Sequence, residues 1–374
     1  MAVLLRHRGH AKAARVPTHA RITGEADAVS REQSAHDMAT RIERLAQTEP
    51  GRLGLPEQTA APAPRNTRVR LLGQGESYTA WRLDVDGTPP LVVRVTRRAP
   101  EDLPRPMSEE FAALALLPDG IGPSAVLLEQ ARDNPLGSPY MVCGYVPGRV
   151  LRPAEWNDGL LAAHARQMSR LHARAFDRCG DVGAPAADRA TYLSPTRLFT
   201  AGLTWWSETF PHVIEDPEVS RLLPRVETFM AASEPAFRRL ERFALVHGDL
   251  VVPNILVDDA GTPRYVDWEW AEIGDPARDL AYIGGRVPAP PWYLPLDGTR
   301  IRRFLESYLR HVPDTGETLD SLETRRDAWE VYERFFSSLH FRTRRDTPED
   351  RRTGLYSHAV AQLTAGLHHR LARS

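Results

Sequence analysis

Short runs with apolar residues at alternate positions begin at Arg68. After Gly148 they give way to apolar residues spaced three and four apart. Residues 68–72, 78–85 and 91–96 read as strands, with Asp86, Gly87 and Thr88 as the turn between the second and third. Residues 107–117 read as a helix, and 124–128 and 140–145 as two more strands, before Pro147 and Gly148 break the pattern. Beyond them Trp156, Leu160, Leu161, Met168 and Leu171 share one helical face, and Trp329, Tyr332, Phe335, Phe336 and Leu339 share another. Aromatic stripes at that spacing read as core packing rather than as a cofactor site. One island of strands interrupts the helices between Ala244 and Trp268. The pattern predicts an α+β chain with a small β-rich N-terminal lobe and a larger, mostly helical C-terminal lobe.

Residues 1–64 read as an N-terminal extension, partly disordered. Its first 21 residues carry Arg6, Arg8, Lys12, Arg15 and Arg21 and no acid; Met38, Ile42 and Leu45 share a face of one short amphipathic helix; residues 50–64, rich in Pro, Gly and Ala, read as a linker. The expected boundaries are therefore 1–64, then 65–146 for the β-rich lobe and 147–374 for the helical lobe.

A length of 374 residues suits two lobes better than one core. The formal net charge of -1 gives no reason to expect nucleic acid as a partner. No apolar stretch approaches the roughly 20 residues that span a bilayer, and the run at 2–5 is too short for a secretion signal, so no membrane partner is expected. Cys143 and Cys179 are not spaced as a metal site and read as free thiols of a cytoplasmic protein. Lys12 is the one lysine of the chain, so any cation the folded part places on phosphate must be arginine.

The strand island carries the chemistry. Apolar runs at 244–246 and 255–257 flank a polar loop holding His247, Asp249 and Asn254, and a turn at 259–261 leads through 264–266 to Asp267. In-line phosphoryl transfer asks for such a set. One carboxylate orients the attacking hydroxyl and takes its proton, while an amide oxygen and a second carboxylate hold Mg²⁺ against the phosphates. His247, beside apolar neighbours, reads as a structural residue bonded to backbone.

His247, Asp249 and Asn254, followed by Val266-Asp267-Trp268-Glu269 and by Gly274-Asp275-Pro276-Ala277-Arg278-Asp279-Leu280-Ala281, resemble the aminoglycoside phosphotransferase and choline-kinase-like family. The resemblance runs from about Arg68 into the C-terminal helices and is most specific over 245–282. It implies the bilobal protein-kinase-like fold, Asp249 as catalytic base, Asn254 and Asp267 as Mg²⁺ ligands, and Asp279 as an internal brace. It also implies ATP or GTP as phosphoryl donor. Asp267-Trp268-Glu269 stands where protein kinases carry Asp-Phe-Gly, which points to a small acceptor. In the N-terminal lobe, the turn holding Gly75 and Ser77 resembles the family's glycine-containing phosphate turn, although a plain hairpin turn reads equally well. Arg94 stands where the family places a basic residue, and Glu110 matches its helix partner. Residues 141–146, with Cys143 and Tyr145, resemble the hinge that reads a purine edge.

The acceptor is a small-molecule hydroxyl of open identity, and the oligomeric state is equally open. Glu208, Glu215, Asp216 and Glu218 would suit a polycation. Arg325, Arg326, Arg334, Arg342, Arg344 and Arg345 would suit a neutral or anionic molecule. Trp205, Trp206, Trp292 and Tyr293 could stack on a sugar or cage an ammonium group, with core packing as the plainer reading. An antibiotic or sugar phosphotransferase, a metabolic kinase with a choline-like or homoserine-like acceptor, and a nucleotide-binding pseudokinase all remain open.

Overall fold

The computed structural model describes residues 26–56, 66–313 and 316–372, with the backbone alone for 26–35. Lys12, the basic tail and most of the expected linker lie outside the described residues. The chain divides into two compact units. Among the described residues, one comprises those between 26 and 115 together with 123–146, the other 116–122 and those between 147 and 372.

The N-terminal unit holds helix α1 (Ala26–Thr48), strands β1 (Thr67–Gln74), β2 (Tyr78–Val85) and β3 (Leu91–Thr96), helix α2 (Met107–Leu116), and strands β4 (Ala125–Glu129) and β5 (Tyr140–Gly144). Its five strands form one antiparallel sheet in the order β1-β2-β3-β5-β4. Tyr78, Trp81, Leu83 and Val85 of β2 are buried, whereas β3, at the centre, is buried at every position but Arg94.

The expected start of the packed region at residue 65 is corrected by the structure. Ile42, Leu45, Ala46, Leu53 and Leu55 are buried in one cluster with Trp81, Leu83, Val93, Val95, Tyr140 and Val142. Glu43 accepts the Val69 N–H at 3.3 Å, and the Tyr140 hydroxyl donates to the Arg52 carbonyl at 2.7 Å. The Pro50–Leu53 segment is a turn of 3₁₀ helix that carries apolar side chains back onto the sheet. The sequence reading took its Pro and Gly for a linker.

The C-terminal unit begins with β6 (Arg149–Val150) and α3 (Asp158–Leu171), then α4 (Pro195–Thr209), α5 (Pro211–Ile214) and α6 (Pro217–Phe237). The island follows as β7 (Ala244–Val246), β8 (Ile255–Val257), β9 (Pro263–Tyr265) and β10 (Glu272–Gly274). After it come α7 (Pro276–Tyr282), β11 (Gly284–Gly285), β12 (Leu294–Pro295), α8 (Gly298–Leu309), α9 (Leu319–Arg344), α10 (Pro348–Thr353) and α11 (Leu355–Leu371). Trp156 precedes α3 rather than lying on it, because the Asn157 side chain caps the helix by accepting the Leu160 N–H. Helix α9 is the spine of the unit and packs against α6, α7, α8 and α11; Trp329, Tyr332, Phe335, Phe336 and Leu339 are all buried, as their spacing predicted.

The two apolar runs that flank the polar loop do not pair with each other. β7 pairs with β10, and β8 lies between β6 and β9. The loop between β7 and β8 therefore bridges two separate small sheets, and side chains must hold its backbone.

Candidate active site

Side chains fix the loop backbone. Asp279, on the first turn of α7, accepts the His247 N–H at 2.7 Å through Oδ2 and the Gly248 N–H at 3.0 Å through Oδ1. Its Oδ2 also receives His172 Nε2 at 3.2 Å, and His172 Nδ1 lies 3.0 Å from the Tyr308 hydroxyl. Burial works to raise the Asp279 carboxyl, but the His172 hydrogen bond, the neighbouring histidines and the His247 amide outweigh it and hold it below the usual carboxylate range. His247 is fully buried; Nε2 donates to the Val266 carbonyl at 3.0 Å, and Nδ1 accepts the Asp249 N–H at 3.3 Å. That pattern requires the neutral imidazole, and burial pushes its pKa down accordingly.

Asp249 is half-buried at the tip of this frame. Asn254 Nδ2 donates to the Asp249 carbonyl at 2.8 Å and approaches its Oδ2 at 3.3 Å, so the Asn254 Oδ1 faces away from Asp249. Asp267, delivered by β9, has φ +68, a left-handed backbone that an aspartate adopts only where its surroundings impose it. The Trp268 indole next to it is buried and donates to the Tyr265 carbonyl at 3.0 Å. No group of three or more His, Cys, Asp or Glu side chains among the described residues could cage a metal. One amide oxygen and one carboxylate instead fit Mg²⁺, which takes few protein ligands and completes its octahedron with phosphate and water oxygens. These side chains can orient a hydroxyl and hold a phosphate-bound cation.

In the N-terminal unit the structure brings Arg94 of β3 onto Glu110 of α2 as a buried ion pair, with the guanidinium 4.5 Å from the Tyr78 ring centre. Gly75 and Ser77 lie in the β1–β2 hairpin, where the Gly75 N–H donates to the Tyr78 carbonyl at 2.8 Å. Arg97, a residue the sequence reading passed over, ties that hairpin down. Its N–H donates to the Ser77 carbonyl at 2.9 Å and its guanidinium to the Gly75 carbonyl. Cys143 is buried within β5, and desolvation pushes its thiol up to about 12, so only its backbone could serve a ligand. The Tyr145 N–H is taken by the Pro90 carbonyl at 3.0 Å, and its ring faces Arg82 at 4.1 Å. The Val146 N–H, by contrast, has no partner among the described residues.

The late arginines, which would suit a neutral or anionic acceptor if they lined a cleft, are mostly core residues. Arg325, Arg326, Arg334 and Arg342 are buried. Arg325 pairs with Asp275 and Glu317, Arg326 with Glu330 and Asp327, and Arg342 with Glu218 at 3.0 Å; Arg334 donates to the Val287 and Ala281 carbonyls. The acidic cluster is spent in part as well, since Asp216 caps α6 and Glu218 holds Arg342. Trp206 and Tyr293 are core residues, and Trp205 is 44% exposed. Trp292 is half-buried, 4.4 Å from Phe341 and stacked on Tyr356 at 6.0 Å, and its carbonyl accepts the Val252 N–H at 3.1 Å.

Viomycin phosphotransferase of Streptomyces vinaceus is 31% identical over 201 residues, which are 50% of this chain and 64% of that protein; the chain thus spans less than two thirds of this relative's length. A thermostable mutant of the aminoglycoside phosphotransferase APH(4)-Ia matches with a TM-score of 0.53 at 15% identity, covering 83% of this chain and 95% of that one. The Plasmodium vivax ethanolamine kinase matches with a TM-score of 0.58 at 12% identity, covering 81% and 83%. At these identities the structures establish the fold, the bilobal kinase-like one with a β-rich N-terminal and a helical C-terminal part. The profile described as "Phosphotransferase enzyme family" matches residues 68–322, from the first strand of the sheet to the start of α9 and across the whole Asp249 loop, and the chain belongs to that family.

Proposed function

We propose that the protein transfers the γ-phosphoryl group of ATP or GTP, as its Mg²⁺ complex, to a hydroxyl of a small antibiotic-like molecule. The observation that carries this reading is the Asp249 loop: a half-buried carboxylate in a backbone frame held by Asp279, with Asn254 bonded to it and Asp267 next in the chain to Val266, which bonds the Asn254 carbonyl and His247. Asp249 aligns the attacking hydroxyl and takes its proton. Asn254 and Asp267 hold the cation, whose role is to neutralise charge on the phosphates. Arg94, fixed by Glu110, supplies the guanidinium for phosphate oxygens, with the Gly75–Ser77 turn and the backbone at Cys143–Tyr145 as further nucleotide contacts.

The viomycin phosphotransferase match and the capture of a solved relative with AMP-PNP and hygromycin B support an antibiotic acceptor. The half-buried Trp292 and Tyr356 rings favour a second reading, an amino alcohol whose ammonium group would lie on an aromatic face, as in an ethanolamine kinase. A nucleotide-dependent reaction suits the cytoplasm, where nucleotides are abundant. No helix among the described residues is long and apolar enough to cross a membrane.

Thermal shift with ATP and GTP, each with and without Mg²⁺, tests the donor side. A panel of viomycin, hygromycin B, a macrolide and ethanolamine, read by acceptor-dependent nucleotide consumption, separates the two acceptor readings. Asp267→Ala is expected to lose the Mg²⁺-dependent part of nucleotide binding; unchanged metal dependence would remove Asp267 from the ligand set.

A further inference from the structure

The residue before the proposed base is a glycine under two opposing demands. Gly248 has φ +76, and a Cβ there would lie 2.3 Å from the Trp270 carbonyl oxygen, so no other residue fits. Glycine is also the residue whose flanking peptides rotate most freely. The peptide joining Gly248 to Asp249 is thus the weakest point in the support of the Asp249 side chain, and any rotation of it swings the carboxylate.

The structure shows what restrains that peptide. Tyr282, fully buried on the last turn of α7, donates its phenol O–H to the Gly248 carbonyl at 2.5 Å. The other end of the same peptide, the Asp249 N–H, reaches His247 Nδ1 at the longer distance of 3.3 Å. Tyr282 lies three residues after Asp279, so one face of α7 presents both side chains to the loop. Asp279 holds the two preceding peptide N–H groups and Tyr282 the next carbonyl. Burial first, and then the nearby Glu333 carboxylate, raise the Tyr282 phenol well above its ordinary range, so it stays a donor at any working pH.

We propose that Tyr282 is a positioning residue for Asp249, acting by locking the Gly248–Asp249 peptide plane. The inference rests on the reading of Asp249 as the catalytic base. Loss of the phenol O–H should let the carboxylate wander from the attacking hydroxyl without touching nucleotide binding.

The experiment compares Tyr282→Phe with Tyr140→Phe, which deletes an equivalent buried hydroxyl from the Arg52 carbonyl in the other unit. Both are assayed for Mg²⁺-dependent hydrolysis of ATP and GTP, with water as acceptor, and for hydrogen exchange in peptides covering 245–252. Tyr282→Phe should lower kcat about tenfold, the scale of one lost hydrogen bond, with nucleotide KM unchanged and faster exchange in the loop. Tyr140→Phe should lose comparable thermal stability and keep wild-type kcat. Wild-type kcat in Tyr282→Phe, or an equal loss in Tyr140→Phe, would overturn the proposal. Asp249→Asn in the same assay keeps the two ideas apart. If it is inactive while Tyr282→Phe is normal, only the role of Tyr282 falls; if it turns over normally, the reading of Asp249 falls first.

Discussion

Arg94 is held by a buried carboxylate. Glu110 is 2% exposed, so Arg94→Ala removes an ion-pair partner from a buried charge. We expect that variant to lose both stability and nucleotide affinity, the latter by about 1–3 kcal/mol of charge-assisted bonding. Arg94→Lys keeps the ion pair and gives up the planar fork, so its melting temperature should stay near wild type while nucleotide KM rises several-fold. Titration of both variants with nucleotide, alongside their melting curves, separates the two effects. Wild-type nucleotide kinetics in Arg94→Ala would remove Arg94 from the phosphate site. At this scale the sequence was most readable where residue types are rare in combination. An Asp, an Asn and a second Asp at the ends of short strands stood out by themselves, whereas Arg94 and Glu110 were picked out only by the family resemblance. Tyr282 did not stand out, because a tyrosine three places after an aspartate is common on any helix. Only the geometry of Gly248 shows why it is there. The arginines of α9 were open to two readings, an acceptor surface or a solvated face, and most of them serve neither. In a chain with one lysine, arginine also fills the buried ion pairs of the core, so a run of them does not mark a basic surface.

Among the elements, α1 and the 3₁₀ turn after it are the clearest addition to what the sequence offered. Met38, Ile42 and Leu45 were visible as a helical face, but nothing in their spacing says what the face covers. The structure seats them on the β-sheet, and Leu45 is 2% exposed. Leu45→Ala should therefore destabilise the N-terminal unit by about 2–5 kcal/mol, measured by urea unfolding. A loss below about 0.5 kcal/mol would mean that the helix is not docked in solution. The strands of that unit were legible almost to the residue because β2 and β3 alternate or run apolar between clear turns. The island was legible in its strands and not in their pairing. β10, three residues long and following the motif, is the true partner of β7, and strands that short carry no periodicity.

For the molecule as a whole, buried neutral histidines set the response to acid. His164 is fully buried between Trp156, Tyr265 and Phe304, and desolvation pushes its pKa down to about 3. Its unfolded value is near 6.5. Below that pH the unfolded chain takes up a proton that the folded chain refuses, so stability is full above about 6.5 and falls as pH drops toward 3. The slope for His164 alone is about 1.4 kcal/mol per pH unit, and His247, shifted the same way, adds to it. Urea unfolding at pH 7 and pH 5 reads this directly. Equal stability at the two values would contradict the neutral, buried assignment.

The whole account turns on Asp249, and the measurement that reaches it most directly is turnover of Asp249→Asn beside its nucleotide affinity. The substitution keeps size and shape and removes the charge and nearly all the basicity. Only an ionised carboxylate both aligns the attacking hydroxyl and accepts its proton, so kcat should fall by about a hundredfold or more while Mg²⁺-nucleotide binding stays near wild type. Near-normal turnover would show that Asp249 is a loop residue and that the chemistry lies elsewhere. A folded variant that had lost nucleotide binding would show instead that Asp249 belongs to the metal site.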